Sequence, residues 1–238
     1  MFSEAKSTYG QPIAILAAVN NFKEFKQSTT TERKDFKTSG DYYAGQLVRV
    51  GGSKIEFLGS ALFNGDKMVG ELNGDETRVV MMSKGKFTRG FYAIPDPQKP
   101  DSAITLEVRQ EKKPEINVRF EGDRPILDLK IELEGDIVAI QSTVNYESTK
   151  LKPLVEQQFK EFIKGQIDRT IKKCQELKTD VFGYGFGLSV AKKFATIQEW
   201  EAYNWKGRFP NAEINTDVEF NIRRTGTMVR SSGIRRVE

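Results

Sequence analysis

Apolar residues recur along this chain with two different periods. At residues 127–133 every second position is apolar: Leu127, Leu129, Ile131 and Leu133 alternate with Asp128, Lys130, Glu132 and Glu134. Period two with a charged outer face predicts an antiparallel sheet solvated on one side. Strand-like runs also cover residues 55–63, 67–72, 87–94, 103–109, 115–121 and 213–223, and residues 12–19 (PIAILAAV) read as a buried strand. Asn64-Gly65-Asp66 is a hairpin signal. Gly135-Asp136 is read as a turn into a further strand at 137–140.

From about 149 to 178 the period lengthens to three or four. Leu151, Val155, Phe159, Phe162, Ile163, Ile167, Ile171, Cys174 and Leu177 then form one face of a helix. Ser148 is its candidate cap, and Pro153 sits near the first turn, where a missing amide costs little. Glu156/Lys160, Asp168/Lys172 and Lys172/Glu176 are spaced to support the outer face. At ~1.5 Å per residue the helix would be roughly 45 Å long. Further helices are expected at 181–194 and at 197–206, the latter capped by Thr196 and ended by Pro210. Asn73 and Glu76 have capping-box spacing ahead of a short helix at 77–83.

Pro95, Pro97 and Pro100 punctuate the chain. Their fixed φ and missing amides mark a linker at 95–100. The expectation is an α+β protein of two domains, 1–97 and 98–238, each a mainly antiparallel β-sheet packed with helices.

Composition narrows the chemistry. Apolar residues make up 38% and charged residues 29% of 238, a globular balance with no stretch that reads as a transmembrane helix. The N-terminus lacks a signal-peptide apolar core and reads as a domain start. Histidine is absent, which excludes His-dependent triads, His-ligated metals and imidazole shuttles. The single cysteine, Cys174, excludes an internal disulfide and a thiolate zinc cluster. No cofactor is expected. The net charge of +4 is mild, and acidic and basic residues interleave. Arg223, Arg224, Arg230, Arg235 and Arg236 crowd the end, without the interleaved aromatics that stack on bases, so no nucleic acid is expected.

The remaining motifs have plainer readings than chemistry. Gly183, Gly185 and Gly187 follow a charged helix instead of a strand, so they are not a dinucleotide fingerprint; Gly183 and Gly187 are read as packing glycines. Ser189 lacks both a second elbow glycine and a histidine base. Asp75/Glu76 is explained by capping and Glu132/Glu134 by a solvated strand face. Cys174 lies on the apolar helix stripe as a small hydrophobe. Trp200, Tyr203 and Trp205 are read as packing aromatics before a ligand platform. No catalytic, cofactor or metal residue emerges.

Two stretches carry a resemblance. Thr179-Asp180-Val181-Phe182-Gly183-Tyr184-Gly185, then Trp200, Trp205, Phe209-Pro210 and a strand ending Ile222-Arg223-Arg224-Thr225-Gly226, resemble the C-terminal signature of the Ger(x)C spore-germination lipoproteins. Gly59-Ser60-Ala61-Leu62-Phe63, residues 66–78 (DKMVGELNGDETR) and Lys84-Gly85-Lys86 resemble that family's middle signature. The resemblance implies a non-enzymatic subunit of a nutrient germinant receptor at the spore inner membrane, beside two integral-membrane subunits. It implies a lipid anchor and a first domain that this sequence would lack, with 1–97 the family's middle domain and 98–238 its C-terminal one. Arg223 and Arg224 are the candidate partner-interface residues. A soluble module binding an anionic ligand, such as wall polymer or nucleic acid, is the alternative.

Overall fold

A computed structural model describes residues 12–19, 38–46, 53–146, 150–185 and 190–224. Its elements are β1 (Ile13–Val19), β2 (Ile55–Asn64), β3 (Lys67–Leu72), α1 (Gly74–Ser83), β4 (Arg89–Pro95), β5 (Ala103–Arg109), β6 (Glu115–Glu121), β7 (Arg124–Ile140), α2 (Lys152–Glu176), α3 (Ile197–Tyr203), α4 (Trp205–Arg208) and β8 (Glu213–Arg224). The fold class is α+β. Two compact units are each assembled from three stretches of chain: Met1–Met81, Ile116–Asp128 and Gln166–Asn215 in one, the remainder in the other.

In the first unit β1, β2 and β3 form an antiparallel sheet in that order. Gly65 turns β2 into β3 at φ +68°, as the Asn-Gly-Asp signal predicted. Gly59 lies at a bulge with φ +87°, where a Cβ would meet the Leu72 carbonyl oxygen at 2.2 Å. Leu62, Leu72, Val79 and Val80 are fully buried, each worth about 1.5–3 kcal/mol relative to exposure. The expectation of a buried strand at 12–19 is half right. β1 forms, but it lies at the sheet's edge and Ile15 is 75% exposed.

The other sheet has the order β4-β5-β7-β6, with β8 also on β7. β7 runs 17 residues without a break, correcting the turn expected at Gly135-Asp136. Gly135 serves close approach. A Cβ there would lie 2.7 Å from the Glu107 carbonyl oxygen and 2.8 Å from the Phe220 ring. Leu127, Leu129, Ile131 and Leu133 are buried, as the period of two required, and Ile137, beyond the expected turn, is buried on the same strand.

Side-chain partners advance in step along β7 and β8: Arg124 with Glu213, Asp128 with Asn215, Lys130 with Glu219, Glu134 with Arg223. Numbers that rise together mark parallel neighbours, and such strands need a crossover, here the segment that contains α2. The sheet is therefore mixed.

The linker expected at 95–100 is corrected. β4 pairs with β5 from Arg89↔Arg109 to Pro95↔Ala103, so Pro95 ends β4 and Pro97 and Pro100 sit in the hairpin turn to β5 within one sheet. Asp96 N–H donates to the Ser102 carbonyl at 2.9 Å, and the fully buried Asp96 carboxylate accepts from the backbone N–H groups of Gln98 (2.8 Å) and Lys99 (3.1 Å). Ser142 Oγ (2.5 Å) and the Tyr146 hydroxyl donate to the same carboxylate. A boundary at 97/98 would cut this turn.

α2 spans 25 residues, with Val155, Phe159, Ile163, Ile167, Ile171 and Cys174 buried in one row. Its expected cap, Ser148, lies outside the described residues. Glu156 does not serve a solvated row with Lys160: it accepts the backbone N–H of Ile222 at 2.8 Å, with Lys152 3.7 Å away. The helix expected at 181–194 is not regular among its described residues. Gly183 has φ +76°, Tyr184 and Gly185 are in a π-helical turn, and Ala191–Lys193 form a three-residue 3-10 turn. The helix expected at 197–206 breaks at Asn204 (φ 53°), which ends α3 and caps α4.

Candidate functional site

The family-like residues of the middle stretch converge at the start of α1. Asn73 Oδ1 accepts the Glu76 N–H and Glu76 Oε2 accepts the Asn73 N–H, both at 2.8 Å, the reciprocal capping box that the spacing predicted. Glu76 has a second partner that the sequence did not reveal. Lys173, near the end of α2, places its Nζ 2.9 and 2.8 Å from the two Glu76 carboxylate oxygens. The same Nζ reaches the Tyr43 hydroxyl at 3.4 Å. Burial alone would lower the Lys173 pKa; the Glu76 hydrogen bond and charge outweigh it and hold the ammonium above its ordinary value. Asp75 is buried and pairs with Arg78 (3.1 Å) and the Thr38 hydroxyl (3.3 Å), and desolvation pushes its carboxyl up. Both acids of this pair are thus engaged, Asp75 with Arg78 and Thr38 and Glu76 with the cap and Lys173.

The C-terminal stretch builds a clamp just past α2. Asp180 Oδ1 accepts the N–H groups of Gly183 (2.9 Å) and Tyr184 (3.2 Å), and Oδ2 accepts Gly185 N–H (2.8 Å). The indole Nε1–H of Trp205 donates to Oδ2 at 2.9 Å. Burial pushes the Asp180 carboxyl above the ordinary aspartate value, against the opposing pull of these four donors. Each residue of the D-x-x-G-x-G pattern thus has a separate reason. Gly183 provides the left-handed turn and has open space around its Cβ position, which corrects its reading as a packing glycine. Gly185 is the packing glycine: a Cβ there would fall 2.2 Å from Trp205 Cδ1. Gly187 and Ser189 lie outside the described residues.

The two stretches also touch. Thr179 Oγ1 donates to the Phe63 carbonyl at 2.7 Å, and Gly70 leaves room for Leu177, whose Cδ1 lies 2.7 Å from where a Cβ would stand. Gln175 Nε2 donates to the carbonyls of Phe209 (3.1 Å) and Ala212 (2.8 Å). Trp200 and Trp205 are 6% and 8% exposed, and Trp200 packs on Phe194 and Tyr203, so these aromatics are interior contacts and not an open platform.

In the other unit, Arg223 Nη2 donates to Glu134 Oε1 at 2.7 Å, and its Nε lies 2.5 Å from Oε2. The side chain of Arg224 lies outside the described residues, as do Arg230, Arg235 and Arg236. Glu132 lies between Lys112 (2.6 Å) and Lys130 (3.4 Å), whose hydrogen bonds hold its carboxyl below the ordinary value. Its neighbour Glu134 is taken by Arg223. The carboxylate pair is therefore engaged in ion pairs, Glu132 with a loop lysine and a lysine of its own strand and Glu134 across to β8.

Chemically, these groups cap, clamp and neutralise. Cys174 is buried, and desolvation pushes its thiol up to about 12, far from a reactive thiolate. Among the described residues no cluster of three or more His, Cys, Asp or Glu side chains is arranged to hold a metal ion. No helix among them is long and apolar enough to cross a membrane.

The architecture defines an α+β protein whose signature residues lock backbone conformation. Within that class the chain belongs to the Ger(x)C family: the family model for "Spore germination B3/GerAC like, C-terminal" matches residues 58–226. The chain is similar to spore germination protein KC of Bacillus subtilis (strain 168), 27% identical over 131 residues, covering 54% of this chain and 31% of the relative. Spore germination protein GerQC of Bacillus cereus is 21% identical over 183 residues, covering 76% and 48% respectively. The chain thus spans less than half the length of these curated relatives. The crystal structure of the GerBC protein shares the fold, with a TM-score of 0.55 and 21% identity over 71% of this chain and 52% of that one.

Proposed function

We propose that the chain is part of a non-enzymatic subunit of a spore nutrient germinant receptor, acting through protein–protein assembly at the spore inner membrane. The observation that carries this reading is the family match over residues 58–226, which takes in nearly all of both signature stretches. The side-chain chemistry is compatible with it, because the acidic pairs that might have served catalysis are engaged in a cap and in ion pairs. The partners are two integral-membrane receptor subunits, and attachment is by a lipid anchor on the full-length protein. Arg223 is the candidate contact on this chain, with Arg224 beside it on β8. Its pairing with Glu134 gives it a place on the sheet while leaving the side chain more than half exposed. The test is affinity purification of the tagged full-length protein from detergent-solubilised spore inner membrane. Recovery of two integral-membrane polypeptides with it supports the reading, and recovery of the protein alone under conditions that keep membrane complexes intact rejects it.

A further inference from the structure

We draw no further inference here: the strongest candidate, the exposed apolar face formed by Ile15, Ile55 and Phe57 on the β1–β2 side of the three-stranded sheet, carries nothing because nothing in the structure shows what covers it.

Discussion

Trp205 donates its indole N–H to the Asp180 carboxylate at 2.9 Å, and the same carboxylate gathers three successive backbone N–H groups, Gly183 to Gly185. One acidic side chain thereby fixes a tight turn and anchors α4 to it. Asp180→Ala should leave these donors without their acceptor and destabilise the protein by about 2–4 kcal/mol. Trp205→Phe, which removes one donor and keeps an aromatic ring, should cost about 1–2 kcal/mol. Urea unfolding followed by circular dichroism measures both. Equal costs for the two variants would mean that the backbone donors do not depend on Asp180.

The two glycines of the turn should respond differently. Gly183→Ala introduces a left-handed L-residue into open space, at a cost of about 1–2 kcal/mol, and Gly183→Asn should be milder because asparagine tolerates that region. Gly185→Ala forces a Cβ against the Trp205 ring and should cost about 1–3 kcal/mol through overpacking. Melting curves of the three variants check the ranking. If Gly183→Asn proved the most damaging, Gly183 would be a packing glycine after all.

Glu76 has two separable roles. Glu76→Gln keeps a capping side chain and loses the ion pair with Lys173, whereas Glu76→Ala loses both. Glu76→Ala should therefore be the less stable by about 1 kcal/mol. A double-mutant cycle of Glu76→Gln with Lys173→Met should return a coupling of about 0.5–1 kcal/mol, modest because Lys173 remains partly in solvent. A coupling indistinguishable from zero would show that the pair contributes nothing.

Asp96 sets an acid limit. Its burial favours the neutral acid, but hydrogen bonds from Ser142, Tyr146 and two backbone amides outweigh it and hold the carboxyl below 3.8. A depressed folded-state value means that the contribution is complete above 3.8 and is lost as pH falls through the folded value. The stability gap between wild type and Asp96→Asn should be full at neutral pH and shrink as pH drops below 3.8. A gap that does not change with pH would remove the carboxylate's charge from the account.

The strands were legible because alternation reports burial directly: Leu129, Ile131 and Leu133 had to share a face, and they do. The Asn73–Glu76 cap was legible because its whole physics lies within four residues. What escaped was long-range. A lysine near the end of α2 reads as a solvated charge, and nothing near residue 173 announces a carboxylate 97 positions away. Three prolines read as a linker because the groups that satisfy Asp96 stand 46 and 50 residues further on. Gly135 read as a turn because sequence cannot show that Phe220 lies over it. The parallel β7–β8 pairing escaped for the same reason: alternation in β8 fixes its faces but not its direction.

Assembly is the central claim, and Arg223 gives it a direct measurement. Arg223→Glu sets a like charge beside Glu134 and Glu111, and exposed pairs of this kind are worth about 0–1 kcal/mol, so the fold should survive. The exchange Arg223→Glu with Glu134→Arg restores the local pair while moving the positive charge to the neighbouring strand. Spores carrying each form of the full-length protein, once it is shown to be folded and present at wild-type levels, are exposed to nutrient germinants while co-purification of membrane subunits is followed. The account predicts that both forms lose partner association and nutrient response, because the partner reads the charge at position 223. Normal association and normal germination with Arg223→Glu would contradict it and leave Arg223 as a sheet ion pair alone.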